Sequence, residues 1–234
     1  MVRIALVVVA ALTLASGASA ANGRNLYFAN CVWCHGDRLQ GVPGSGPSLQ
    51  GAGALAADFY LRTGYMPLRS PRQKPTRRPP HFTEPELRAL ISFVAAHGGP
   101  PVPRVHPERG NLAAGLELFT EHCAGCHQVV AEGGILTGAK APPLDRASPV
   151  EIAEAVRIGP YVMPKFSRSD ISDAQLNSII AYVEYAKHPR DEGGWGLDHL
   201  GPFPEGMVVW GIAIVVLLAV CRALGKGMSR EEGA

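Results

Sequence analysis

The chain has 234 residues, 47% of them hydrophobic, with 22 Lys and Arg against 20 Asp and Glu. The resulting formal charge of +2 gives no electrostatic basis for nucleic-acid binding, and the apolar content excludes a disordered polypeptide. The 27 Gly and 20 Pro make a fifth of the sequence and argue for several short modules rather than one continuous core.

Met1-Val2-Arg3, the apolar stretch Ile4 to Leu14 and the small-residue run Ala18-Ser19-Ala20 give residues 1–20 the pattern of an export signal. The alternative is an uncleaved anchor, because apolar character persists to Ala21. In either case the middle of the chain is expected outside the cytoplasm. There Cys31-Val32-Trp33-Cys34-His35 recurs 92 residues later as Cys123-Ala124-Gly125-Cys126-His127. Upstream of each motif, Gly23, Leu26 and Tyr27 match Gly115, Leu118 and Phe119, a small, an aliphatic and an aromatic residue along a short helix. Downstream, Gly46-Pro47-Ser48-Leu49 answers Ala141-Pro142-Pro143-Leu144, and Tyr65-Met66-Pro67 answers Val162-Met163-Pro164. Each copy closes with an amphipathic helix: Leu87, Leu90, Ile91 and Val94 in one, Leu176, Ile179, Ile180 and Val183 in the other. Capping boxes open both helices, Thr83 with Glu86 and Ser172 with Gln175.

The copies span residues 21–97 and 111–188, joined by a Pro/Gly spacer at 98–110 that is semi-rigid and non-helical. A Gly-rich connector, 189–205, leads to an uncharged run that begins at Gly206. With Arg222 snorkelling, residues 206–224 make a helix about 28 Å long, enough to cross a bilayer once. Lys226 and Arg230 follow, so the tail 225–234 belongs in the cytoplasm and the two copies on the opposite face of the cell membrane. A buried core helix is the alternative for this run.

Five cysteines are too few, and odd in number, for a disulfide scaffold. Four of them, Cys31, Cys34, Cys123 and Cys126, lie in the repeated pentapeptide, where two thiols one helical turn apart can add to the vinyl groups of one porphyrin. His35 and His127 then take the iron from one side. This reading gives two covalently bound haem c groups; half a zinc site or a thioredoxin-like pair is the alternative for a lone Cys-x-x-Cys. Met66 and Met163 are the candidate sixth ligands, 31 and 36 residues after the histidines, each in a Gly/Pro-rich loop. His81, His106 and His122 are the alternative ligands in principle, but they, with His97, His188 and His199, read as ordinary solvent or interface residues. An axial imidazole donates its other N–H to a carbonyl, and Pro47 and Pro142 are placed to supply it. Iron held by imidazole and thioether has no open position, so it passes electrons and performs no substrate chemistry. Cys221, in the apolar helix, reads as a small packing residue. Charge divides unevenly: residues 21–100 carry nine basic and four acidic side chains, residues 111–190 seven and nine. Much of the excess lies between Arg69 and Arg78, either a solvated loop or a docking surface for an acidic partner.

The order of these features, with Leu39-Gln40-Gly41-Val42, Gly64-Tyr65-Met66-Pro67, Met163-Pro164-Lys165-Phe166-Ser167 and Gly201-Pro202 before the anchor, resembles the di-haem cytochrome cc subunit of actinobacterial-type cytochrome bcc menaquinol reductases. The resemblance covers nearly the whole chain. It implies an all-α fold, two tandem class I cytochrome c modules plus one C-terminal transmembrane helix. It also implies an electron-transfer subunit of a quinol–cytochrome c reductase, with a Rieske iron–sulfur subunit and a cytochrome b subunit as partners. The second haem then passes electrons directly to a haem-copper oxidase in a supercomplex. The rival readings are the cytochrome subunit of another membrane dehydrogenase and a di-haem oxidase of a small substrate such as thiosulfate.

Overall fold

The computed structural model describes residues 21–189 and 202–231, with side chains for 21–189 and 206–225. The expected export segment, most of the connector including His199, and the last three residues lie outside the described residues. Of the described residues, those up to Tyr182 form one compact unit, and those from Val183 onward belong to a second.

In the first repeat, α1 (Gly23–Asn30) starts at Asn22, whose Oδ1 accepts the Asn25 N–H at 3.2 Å. It crosses α4 (Glu84–Ala95) at Gly23, where a Cβ would run into the Ala89 carbonyl. The glycine is what lets the two backbones touch. Tyr27, one turn on, is fully buried with its ring 5.1 Å from that of Phe93. Thr83 and Glu86 cap α4, the Thr83 N–H donating to the Glu86 carboxylate at 2.9 Å. The helix buries Leu87, Leu90, Ile91 and Val94 against Tyr27, Leu39, Phe82, and Ala57 and Leu61 of α3 (Gly53–Arg62).

The second repeat follows the same plan. Asn111 caps α5 (Leu112–His122), accepting from the Ala114 N–H at 2.9 Å. Gly115 lies against the Ser178 carbonyl of α8 (Asp173–Lys187), and Phe119 is 5.3 Å from Tyr182. Ser172 and Gln175 cap α8, which buries Leu176, Ile179, Ile180 and Val183. Between α5 and α8 lies α7 (Pro149–Ile158), opened by a Ser148–Glu151 capping box and closed by Gly159 in the left-handed region at φ +65°.

The described structure is mostly helical, in keeping with the all-α expectation, and adds one short hairpin. β1 (Gly134–Leu136) and β2 (Ala139–Ala141) form an antiparallel hairpin with Ile135 opposite Lys140. It absorbs the three residues by which the stretch from His127 to Pro142 is longer than that from His35 to Pro47. In the first repeat an isolated bridge from Val42 to Gly46 stands there.

The spacer is pinned at both ends. The Leu55 N–H donates to the Pro100 carbonyl at 3.1 Å, and the His106 N–H donates to Asn177 Oδ1 at 2.8 Å. In the second unit, α9 (Pro202–Glu231) runs about 45 Å, longer at both ends than the expected 206–224. Its stretch Gly206–Gly225 is apolar enough to cross a membrane, and none of it is buried within the protein. Trp210, Leu217 and Leu218 are exposed and suited to contact with lipid.

The Gly115 contact yields a direct test. Alanine there gains about 1 kcal/mol of helix propensity but forces its methyl group onto a backbone carbonyl, an overpacking cost of roughly 1–3 kcal/mol. Gly115→Ala is expected to lower the thermal midpoint of the full chain; an unchanged or higher midpoint contradicts the close helix crossing.

Candidate cofactor-attachment sites

Each site begins where the first helix of a repeat ends. The Cys31 N–H donates to the Tyr27 carbonyl at 2.8 Å, and the chain turns into the short α2 (Val32–His35), with the His35 N–H on the Cys31 carbonyl at 2.9 Å. Cys31 and Cys34 stand one turn apart with His35 beside them. In the second repeat α6 (Ala124–His127) repeats the turn, the His127 N–H meeting the Cys123 carbonyl at 2.9 Å.

After each histidine the chain forms a loop that winds back over the imidazole ring. Three left-handed residues shape its first half, Gly36, Leu39 and Gly41 in one repeat and Gln128, Ala131 and Gly133 in the other, and a fourth, Gly44 or Gly138, follows before the proline. The N–H of Gly41 returns to the His35 carbonyl at 2.8 Å, and that of Gly133 to the His127 carbonyl at 2.9 Å. Leu49 and Leu144 then donate to the carbonyls of Leu39 and Ala131 at 2.8 and 2.9 Å. A left-handed Leu or Ala costs of order 1 kcal/mol; both are buried, and the pair of returning bonds holds them there. The two loops are fastened by different tyrosines: the Tyr27 hydroxyl donates to the Gly36 carbonyl at 2.7 Å, the Tyr182 hydroxyl to the Val129 carbonyl at 2.6 Å.

The winding brings a proline carbonyl onto each imidazole. His35 Nδ1 lies 2.8 Å from the Pro47 oxygen, and His127 Nδ1 lies 3.0 Å from the Pro142 oxygen. A carbonyl only accepts, so Nδ1 carries the hydrogen and Nε2 keeps its lone pair. Neither Nε2 has a hydrogen-bond partner among the described residues. Burial holds the His127 pKa below its ordinary value, with the Pro142 bond opposing, which favours the neutral ligand form. Burial also pushes the Cys31 and Cys123 thiols up to about 11, reinforced by the neighbouring Cys34 and Cys126. All four thiols are free.

This donor set fits covalently attached haem: two unpaired thiols a turn apart and a neutral imidazole with one nitrogen free. It does not fit zinc, because no three His, Cys, Asp or Glu side chains among the described residues converge as a metal ion's ligands do.

The candidate sixth ligands occupy corresponding loops. Met66 is half-buried against the first core and lines a cavity of about 330 Å³ with Gly64, Arg78, Pro79 and His81. His81 therefore shares the cavity with Met66. Met163, also half-buried, is held by its N–H on the Pro160 carbonyl at 3.0 Å. His106 Nδ1 is engaged by Glu108 at 3.1 Å, and the ring of His122 packs 5.9 Å from that of Phe166.

Two arginines that brace these loops are not apparent from the sequence motifs. Arg62, at the end of α3, donates to Asp58 at 2.9 Å and to Glu84, the first residue of α4, at 2.7 Å. Arg157, near the end of α7, is buried and donates to Asp173, the first residue of α8, at 2.8 Å and to the Ile171 carbonyl at 2.7 Å. Each ties together the two ends of a methionine loop. The signal for them is a shift of 95 residues that Pro47/Pro142 shares with Arg62/Arg157 and Gly64/Gly159. In the basic loop, Arg69, Arg72, Lys74 and Arg77 are all exposed, and Arg77 also pairs with Glu151 at 3.0 Å. Trp33, inside the first motif, is 82% exposed.

Residues 18–94 and 110–183 each match the family model described as cytochrome c oxidase, cbb3-type, subunit III. The chain is 38% identical to the cytochrome bc1 complex cytochrome c subunit of Corynebacterium efficiens, across 88% of this chain and 76% of the relative. It is 39% identical to the protein of the same name from Mycobacterium tuberculosis, across 90% and 79%. A cbb3-type cytochrome c oxidase subunit CcoP from an Azospirillum species is 29% identical across 71% and 62%.

The raised thiol pKa values predict a reactivity profile. In the chain made without haem attachment, alkylation of Cys31 and Cys123 is expected to keep rising about tenfold per pH unit until about pH 11. A plateau near the ordinary thiol value of 9.0 contradicts the burial of these two sulfurs.

Proposed function

The chain belongs to the family of cytochrome c subunits of the cytochrome bc1 complex, and from that premise we propose that it is a membrane-anchored di-haem relay. Its electrons come from the Rieske iron–sulfur and cytochrome b subunits of a quinol reductase and leave to a haem-copper oxidase. Haem c supplies the chemistry, an iron that takes up and releases one electron.

The observation that carries this reading is the repetition of one imidazole geometry. His35 and His127 each spend Nδ1 on a proline carbonyl and keep Nε2 for iron, each beside two free thiols. Cys31 with Cys34 and Cys123 with Cys126 anchor two groups. Met66 and Met163 close the sixth position, each loop braced by its arginine. Residues 21–97 and 111–188 are then tandem cytochrome c modules, joined by the spacer 98–110. The connector 189–205 leads to the anchor at 206–224, which holds both modules on the extracytoplasmic face with the C-terminal tail in the cytoplasm. Arg69, Arg72 and Lys74 offer the reductase or oxidase a cationic face beside the first methionine loop. With each iron fully capped, the chain's residues bind, orient and insulate, and none of them acts on a substrate.

Haem stoichiometry tests the proposal. Full-length protein isolated from its membrane complex should carry two covalent haem c groups, and the Cys123→Ala/Cys126→Ala variant one. A single haem in the unmodified protein, or an undiminished content in the variant, overturns the relay.

A further inference from the structure

The two repeats meet along α3 and α7. Tyr60 and Tyr65, the latter beside Met66 in sequence, pack their rings 6.3 and 5.5 Å from Tyr161, two residues before Met163. Arg77 crosses to the Glu151 carboxylate and the Arg146 carbonyl, each at 3.0 Å. Among these contacts lies Glu154 of α7, which is fully buried. No N–H or O–H donor among the described residues reaches either of its oxygens, and the group that acts on it most from α3 is the carboxyl of Asp58.

Two neighbouring buried carboxyls are stable together only when one of them is protonated and can donate its hydrogen to the other. Asp58 accepts from Arg62 Nε with both oxygens, at 2.9 and 3.0 Å, so it serves as the acceptor of the pair. Glu154 carries the hydrogen and donates. We infer that Glu154 is a positioning residue, its carboxyl proton latching α7 onto α3 and so holding the methionine loops of the two repeats against each other. The latch is a property of the two packed helices; only its consequence, a fixed separation of two irons, rests on the relay reading.

The charged groups that act on Glu154 are Asp58 and Arg62 on α3 and Glu151 on its own helix; Arg77 of the basic loop and Tyr60, Tyr65 and Tyr161 are the other titratable groups at the contact between the repeats. Burial drives the Glu154 pKa up to about 9, with Asp58 and then Glu151 adding and Arg62 opposing. The three tyrosine hydroxyls are all pushed above their ordinary value of 10.0 and stay neutral through this range. Glutamate exposed to water titrates near 4.5, so between that pH and about 9 closing the interface takes up one proton. Closure is favoured most at the acid end. Its equilibrium constant falls tenfold per pH unit as pH rises through the window and levels off above about 9.

Hydrogen exchange on the full haem-loaded chain in detergent, corrected for the intrinsic rate at each pH, reads this linkage. From about pH 5.5 to about 8.5, protection of α3 and α7 is expected to fall about tenfold per unit. In Glu154→Gln, whose amide still donates to Asp58 but binds no proton, protection should persist with no slope. Level protection in the unmodified protein, which needs no variant to observe, overturns the latch, as does a slope that survives in Glu154→Gln. A chain found to carry one haem but showing the slope would sink the relay reading and leave the latch standing.

Discussion

The bond from an imidazole Nδ1 to a proline carbonyl is the interaction on which both sites depend. It fixes the tautomer, sets the plane of the ring and leaves a single nitrogen lone pair for a metal. Without it, a buried histidine would have two interchangeable nitrogens and a polar group to satisfy. The first three left-handed residues after each histidine help to turn the chain back so that this carbonyl reaches the ring. The two repeats use different residues at two of those three positions and reach the same 2.8 to 3.0 Å contact, so the geometry, more than the residue type, is what the repeats share.

The surrounding helices hold this small frame in place. Gly23 and Gly115 let the first and last helices of each repeat cross at backbone contact, which fixes the helix that leads into the cysteines. Arg62 and Arg157 tie the end of the middle helix to the start of the last one across each methionine loop. The second arginine is buried and satisfied largely by carbonyls, so it braces the loop as a hydrogen-bond donor as much as a charge. The interface between α3 and α7 then makes one compact unit of both repeats, with the tyrosines of the methionine loops in contact across it.

Much of this was legible in the sequence because it is local. The pentapeptides, the capping boxes, the i, i+3, i+4, i+7 stripes and the small residue that precedes each motif are patterns within a few turns, and each has an immediate structural cause. The features that were not legible depend on contacts distant in sequence. α3 is a short Ala-rich segment opened by glycine, without a side-chain cap to announce it. The strands of the hairpin are three residues each, below the length at which alternation can be read. Arg77 reads as one more cation in a basic loop, yet it pairs with a carboxylate 74 residues away. Glu154 sits among Ile152, Ala153 and Val156 in the sequence and would pass for a solvent-facing acid, yet it is fully buried.

The central claim is that each repeat presents one imidazole nitrogen and one thioether to a single iron. X-ray absorption at the iron edge, on the full-length protein with its iron content measured, tests it most directly. Each iron is expected to have one sulfur and five nitrogen neighbours, with two irons per chain. An all-nitrogen shell or five-coordinate iron at either site would contradict it.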